Sequence, residues 1–242
     1  MLRSLRRLIH IAGMQLIDRR QFRVVSRSRF AETLAAALKD PDFFFIQIGA
    51  HDGVRFDDLY HKVTTVNAHG IVIEPLPRYF ARLQMNYEDY PGVIPLNVAV
   101  HPTATQLTLH HVSTAASASG RLPPWAGGIG STSPSHHLPL GIPAEAMTTS
   151  TVPCATLRHI IEQHAVSRID LLQIDTEGFD LEVLEMIPFD LVHPGLIKFE
   201  HAVLAPEARS CARQFLESHN YEVWSEGEDT IAGKPNAWPS RR

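Results

Sequence analysis

The chain has 242 residues, is 44% hydrophobic and 20% charged, and carries a net charge of −4. This is the composition of a globular domain with a sizeable core, which excludes a disordered or fibrous chain and gives no overall basic field for nucleic acid. Two cysteines, Cys154 and Cys211, lie far apart and match no metal spacing. They read as small apolar residues in a reducing compartment, so a cytoplasmic location is expected.

Residues 1–29 hold eight arginines against one acid, Asp18. Leu2, Leu5, Leu8, Ile9, Ala12 and Leu16 recur at helical spacing, which predicts a helix with a basic face. Such a helix packs on the domain, or serves as a peripheral contact or a homo-oligomer contact. The stretch lacks the apolar core and cleavage site of a signal peptide. No apolar run approaches the ~18 residues of a membrane span, so no transmembrane segment is predicted. The chain thus divides into a basic helical extension over 1–42, a main domain over 43–232 and a tail over 233–242.

A helix is predicted from Phe30 to Lys39, stopped by Asp40-Pro41-Asp42. The apolar run Phe43 to Ile48 is a strand that breaks at Gly49-Ala50-His51-Asp52-Gly53. A short helix, Phe56 to Val63, precedes a second strand, Ile71 to Ile73, which ends on Glu74. Pro75 and Pro77 start a helix, Arg78 to Asn86. Val93 to Val100 reads as the third strand, and Gln106 to Val112 alternates as a two-sided strand does. Residues 113–150 differ: 17 of these 38 are Gly, Pro or Ser, and only Arg121 and Glu145 are charged. A loop this long reads as a lid or substrate loop. Trp125 is its one large apolar anchor, and His136 and His137 are its candidates to reach a substrate.

Regular structure is predicted to resume at Thr151-Val152-Pro153. The helix Thr156 to His164 and the strand Ile169 to Ile174 follow, the strand ending in Asp175-Thr176-Glu177-Gly178. Then come the helix Leu181 to Met186, the strand Leu196 to Phe199 ending at Glu200-His201, and the helix Pro206 to His219. Tyr221 to Trp224 and Asp229 to Ala232 form a final strand pair. Strands alternating with helices imply an α/β fold with a mostly parallel sheet.

The turn at 49–53 followed by Glu74 at a strand end is how such a sheet holds a nucleoside: glycines admit the backbone and the acid accepts from ribose hydroxyls. The third glycine of Gly-x-Gly-x-x-Gly is missing, and Asp52 would oppose a pyrophosphate. A ligand with a cationic centre, S-adenosylmethionine, fits where NAD does not. No phosphate-binding loop of the Gly-x-x-x-x-Gly-Lys-Ser/Thr kind is present.

The stretches IGAHDG, IEPLPRYFARLQMN, LNVAV, TVPCATLRHII, DLLQIDTEGFDLEVLE and IKFEH together resemble the FkbM-type methyltransferases over roughly residues 43–232. Ile174-Asp175-Thr176-Glu177-Gly178 is the most specific part. The resemblance implies a class I methyltransferase Rossmann-like fold, a seven-stranded sheet with helices on both faces, and S-adenosyl-L-methionine-dependent O-methylation. It implies that Gly49, Ala50 and Gly53, with His51 and Asp52 in the same turn, approach the methionine moiety. Glu74 would bind the ribose, Pro75-Leu76 would flank the adenine, and Asn97 and Ala99 would line the adenine side. Asp175 would sit beside the methyl group. The chain departs from the family at His51, where Asn is frequent, and at Gln173-Ile174, where Lys usually precedes the acid.

Independently, ligands of open α/β sheets bind at the carboxyl ends of strands. Asp175, Glu177, Glu200 and His201 all follow such ends. Methyl transfer holds the nucleophile about 3 Å from the methyl, and a hydroxyl nucleophile must also lose its proton. Either His201 or a neighbouring acid is a general base, or Asp175 and Glu200, with His201 or Glu177, hold a divalent ion such as Mg that lowers the hydroxyl pKa. Asp175 and Glu177 are also the residue types that cap a helix N-terminus. The leading expectation is an O-methyltransferase of a small-molecule hydroxyl acceptor, such as a sugar, polyketide or peptide natural product, with no nucleic-acid partner. An NAD-type oxidoreductase and a non-catalytic partner-binding module are the alternatives.

Overall fold

The computed structural model of the chain describes residues 28–55 and 59–235. The basic helix predicted over residues 1–27, the start of the helix predicted at Phe56, and residues 236–242 of the tail lie outside the described residues. Eleven strands are assigned among the described residues. Seven form one sheet, and four form a second.

The first half of the domain comprises α1 (Arg29–Ala37), β1 (Phe44–Ile48), α2 (Leu59–Thr65), β2 (His69–Ile73), α3 (Pro77–Asn86) and β3 (Val93–Leu96). The chain then leaves the large sheet through β4 (Ala99–Val100), β5 (Gln106–Val112), α4 (Thr114–Ala118), β6 (Gly130–Ser131) and β7 (Met147–Ala155). It returns through α5 (Leu157–Gln163), β8 (Leu171–Ile174), α6 (Asp180–Glu185), β9 (Leu196–Glu200), α7 (Pro206–Ser218), β10 (Glu222–Glu226) and β11 (Asp229–Gly233).

The large sheet has the order β10-β11-β9-β8-β1-β2-β3. All its pairings are parallel except those of β11, which runs antiparallel to β9 and β10. The mostly parallel seven-stranded sheet is therefore as expected. The chain winds outward from β1 to β3, then restarts beside β1 with β8 and winds the other way. The β1/β8 boundary is the point where the winding reverses, and open α/β sheets place their ligands outside the strand ends there.

Strand alternation distributes the core. Ile46, Ile48, Ile174, Ile197 and Phe199 pack with α5, α6 and α7. Phe45, Val72, Leu171, Leu196 and Ile231 pack on the other face with α1, α2 and α3. Both faces are buried, so the strands read as continuous apolar runs.

Two sequence expectations change. Val93 to Val100 is not one strand. The Asn97 side-chain amide donates to the Glu74 and Pro75 carbonyls at 2.8 and 2.9 Å, bending the chain away from β2. Ala99–Val100 then pairs with β7 in the second sheet, ordered β4-β7-β5-β6.

Residues 113–150 are not an open loop either. They contain α4, β6, two 3₁₀ turns and the start of β7. Val112, Ala126, Ile129, Ile142 and Ala146 give this strap its own small core. Trp125 is 45% exposed and does not anchor it. Several aliphatic residues of small and medium size replace the single large anchor that the sequence suggested.

Gly49 has φ +82°, and a Cβ there would lie 1.7 Å from the Asp175 carbonyl oxygen. Gly53 has φ +79°, but its Cβ would meet movable side-chain atoms, Leu83 Cδ1 at 2.8 Å and Tyr87 Cε2 at 2.9 Å. Gly49→Ala is therefore expected to destabilise the fold by about 3 kcal/mol or more, combining left-handed strain with a backbone clash. Gly53→Ala is expected to destabilise it less. Urea denaturation of the two variants side by side checks the order.

Candidate active site

A cavity of about 1090 Å³ opens where β1, β2, β8 and β9 end. Gly49, Ala50, His51, Glu74, Pro75 and Ala99 line one side, and Asp175, Glu177 and Glu200 line the other. The strap contributes Trp125, Ile129, Thr132 and Leu140 to the wall. Seven of the predicted cofactor residues thus meet in one cavity: the six first named and Asp175. Gly53, Asp52 and Asn97 are not among its lining residues.

Each of those three has another task. Gly53 admits helix α3. Asn97 bends the chain after β3. The Asp52 carboxylate turns back on its own loop and accepts from the Val54 and Arg55 N–H groups at 3.2 and 2.9 Å. Burial opposes its charge, but the contact with His51 and these backbone N–H groups win, holding its carboxyl below the usual range. Its charge therefore does not face a ligand, contrary to the sequence argument against a pyrophosphate.

His51 sits at φ +50°, in the left-handed region that Asn and His tolerate better than most residues. Its ring lies 3.8 Å from the Tyr79 ring, centroid to centroid. The Glu74 carboxylate is buried at the end of β2. Its two oxygens accept from the His51 and Leu76 N–H groups at 2.9 and 2.8 Å. Each oxygen thus receives one backbone N–H, and the carboxyl keeps further hydrogen-bonding capacity. Burial pushes this carboxyl up to about 8, against those backbone N–H groups and the Arg78 charge.

Across the cavity, strand register sets the acids. Ile174 pairs with Phe199, so Asp175 follows β8 at the level of Glu200 on β9. Glu200 in turn pairs with Asp229 on β11. The Asp175 side chain opens into the cavity while protein surrounds it. Burial first, and then Glu177, Glu200 and Asp180, hold its carboxyl well above the ordinary value, with Lys198 opposing. Burial and the charges of Glu177, Asp180, Glu228 and Asp229 push Glu200 up to about 7.

Sequence reasoning missed Asp180, Lys198 and Tyr79. Asp180 is fully buried under the loop and accepts from the Thr176 hydroxyl at 2.9 Å. Burial pushes it up to about 6. Lys198 places a cation in the cavity wall, 3.1 Å from Asp229. It is the register partner of Gln173, so a cation stands one strand away from the position where the resemblance led us to expect a lysine. The alternation of Lys198 with Glu200 on one strand was the available signal.

His201 does not join these groups. It is not among the lining residues, and its Nδ1 lies 3.0 Å from the Thr230 hydroxyl on β11. Nor does the metal expectation at Asp175 and Glu200 find support. Among the described residues no group of three or more His, Cys, Asp or Glu side chains is placed to hold a metal ion. The side chain alternating with Glu200 on β9 is a lysine, and His201 faces away. Both cysteines are free, and no helix of the described residues is long and apolar enough to cross a membrane.

Residues 47–223 match the family model described as the methyltransferase FkbM domain. Among solved structures, the chain is similar to a methyltransferase FkbM from Methylobacillus flagellatus KT, with 11% identity and a TM-score of 0.46, over 80% of this chain and 44% of that one. It is similar to a precorrin-6y C5,15-methyltransferase from Geobacter metallireducens GS-15, with 13% identity and a TM-score of 0.44, over 90% and 93%. It is also similar to Aeropyrum pernix fibrillarin with natively bound S-adenosyl-L-methionine, with 11% identity and a TM-score of 0.43, over 85% and 74%. No protein of curated function matches the sequence.

The raised acids set a pH dependence. The folded chain holds protons on Glu74, Asp175, Asp180 and Glu200 at pH values where the unfolded chain has released them. Folding stability therefore falls as pH rises from the ordinary carboxylate range through about 8. Buried His111, lowered mainly by burial, works the other way below its ordinary value. Four acids outweigh one histidine, so the urea midpoint is expected to be higher at pH 5.5 than at pH 8. An unchanged or rising midpoint over that interval contradicts this account of the cavity.

Proposed function

We propose that this chain, which belongs to the FkbM family of S-adenosylmethionine-dependent methyltransferases, methylates a hydroxyl of a small molecule, such as a sugar, polyketide or peptide. The observation that carries the reading is the placement of a buried, partly satisfied Glu74 on one side of a single cavity and Asp175 on the other.

The residues fit the cofactor. Glu74 keeps acceptor positions for the two ribose hydroxyls, and Pro75, Leu76 and Ala99 offer apolar surface for an adenine. The acids Asp175, Glu177 and Glu200 suit a ligand end that carries sulfonium and ammonium charges. They disfavour a dinucleotide pyrophosphate, which counts against the NAD alternative. When bound, S-adenosylmethionine supplies an electrophilic methyl group on a positively charged sulfur.

The chain's own task is to hold the acceptor oxygen in line and remove its proton. Asp175 is the candidate base: it faces the cavity, and its raised proton affinity makes it a better proton acceptor than an ordinary carboxylate. Glu200, raised to about 7, lies beside it to share the proton or orient the hydroxyl. Thr132, Leu140 and the half-exposed Trp125 give the acceptor a partly apolar wall, and the strap shields the transfer from water.

The test is titration calorimetry with S-adenosylhomocysteine and with NADH. It is followed by S-adenosylhomocysteine release from S-adenosylmethionine over a panel of monosaccharides, hydroxylated polyketides and serine- or tyrosine-containing peptides. Glu74→Ala removes two hydrogen bonds to the ribose, worth roughly 0.5–1.5 kcal/mol each. It is expected to weaken S-adenosylhomocysteine binding about tenfold or more. NADH is expected not to bind, and NADH binding with no S-adenosylhomocysteine binding overturns the assignment.

Trp125 lines the cavity from the strap and we assign it to the acceptor, so Trp125→Ala is expected to raise the acceptor KM or lower kcat. Its S-adenosylhomocysteine affinity is expected to stay within about twofold of the parent chain, since a half-exposed rim residue adds little to a binding site that it does not enclose. Loss of cofactor affinity alone would place Trp125 on the cofactor instead.

A further inference from the structure

The loop Asp175–Gly178 is held by its own helix, whose Asp180 accepts from the Thr176 hydroxyl at 2.9 Å, and also from outside that helix. Glu177 has φ +52°, a region that a non-glycine residue occupies at a cost. Gly178 follows at φ +99°, where a Cβ would meet nothing within 4 Å.

Two side chains of the strap reach it. The Ser131 hydroxyl donates to the Glu177 carbonyl oxygen at 3.0 Å. His136 Nε2 lies 2.9 Å from Glu177 Oε2. The carboxylate only accepts, so the imidazole N–H donates. Ser131 is 4% exposed, and the His136 and Glu177 side chains are 13% and 24% exposed. Water therefore competes weakly with both contacts.

The strap is itself fixed on the opposite rim of the cavity. The Tyr79 hydroxyl donates to the Gly127 carbonyl, and Arg78 donates to the Thr114 hydroxyl at 3.3 Å.

From this geometry we infer that Ser131 and His136 are positioning residues for methyl transfer: one holds the backbone of Glu177, the other its carboxylate, and together they aim the Asp175–Gly178 loop into the cavity. The strap is then a structural member of the active site, not only a cover. His136 acts on the acceptor through Glu177 and does not touch it. The inference rests on the reading that this loop serves the acceptor.

The test uses the full chain with saturating S-adenosylhomocysteine and reads amide hydrogen exchange. His136→Ala and Ser131→Ala are each expected to speed exchange at residues 176–179 tenfold or more, with β1 and β2 unchanged. His136→Gln, which keeps a side-chain N–H of similar reach, is expected to return exchange to within threefold of the parent chain.

Turnover on the best acceptor of the panel supplies the second readout. His136→Ala is expected to lower kcat tenfold with the S-adenosylmethionine KM within twofold. It is expected to add no further loss to Glu177→Gln. Unchanged exchange at 176–179, failure of His136→Gln to restore it, or additive losses with Glu177→Gln overturns the inference. If no panel compound is methylated, the hydroxyl reading fails alone, because the exchange measurement decides the positioning role without an acceptor.

Discussion

The close approach of Gly49 to the Asp175 carbonyl oxygen is the constraint on which the rest of the site depends. The end of β1 is held between two neighbours. The N–H groups of Gly49 and Ala50 both donate to the Ile73 carbonyl, and the Asp175 N–H donates to the Ile48 carbonyl. These bonds draw the exits of β2 and β8 together around β1. No side chain fits at position 49, where a Cβ would lie 1.7 Å from that oxygen. The compression gives the cavity its two functional ends. It puts Glu74, at the exit of β2, and Asp175, at the exit of β8, on opposite sides of one turn.

Charge then separates those ends by environment. Glu74 is deeply buried but receives two backbone N–H groups in fixed positions, which suits an acceptor role toward hydroxyls. Asp175 shares its side of the cavity with Glu177, Glu200 and buried Asp180. Crowded acids raise one another's proton affinity, and a raised carboxyl in a cleft is a candidate base with a physical rationale. Lys198 tempers this crowding. Its pairing with Asp229 fixes it in the wall, so the cavity combines a cluster of acids with a cation in a set place.

The strap shows how a segment poor in large apolar residues still becomes ordered structure. Its small core of Val112, Ala126, Ile129, Ile142 and Ala146 is supplemented by hydrogen bonds to both rims of the cavity. A segment of this kind is ordered largely by what it is tied to. Its conformation and that of the active-site loop are therefore coupled through Glu177.

The sequence alone determined a mostly parallel α/β architecture, and the count of seven strands came with the family resemblance. Apolar runs broken by Gly and Pro and alternating with helical periodicity are local signals, and both faces of the sheet impose them continuously. It also carried the strand-end acids Glu74, Asp175 and Glu200, because a parallel sheet places every strand's carboxyl end on one edge. What it did not carry is which side chains at that edge turn inward. Asp52 faces its own loop, His201 faces Thr230, and Asn97 bends a predicted strand into a second sheet, each through a hydrogen bond to a partner chosen by packing. Residues 113–150 read as open loop because their partners, Tyr79 and Glu177, are distant in sequence. Those are contacts between segments, and only the tertiary structure brings such segments within the 3 Å or so over which a hydrogen bond acts.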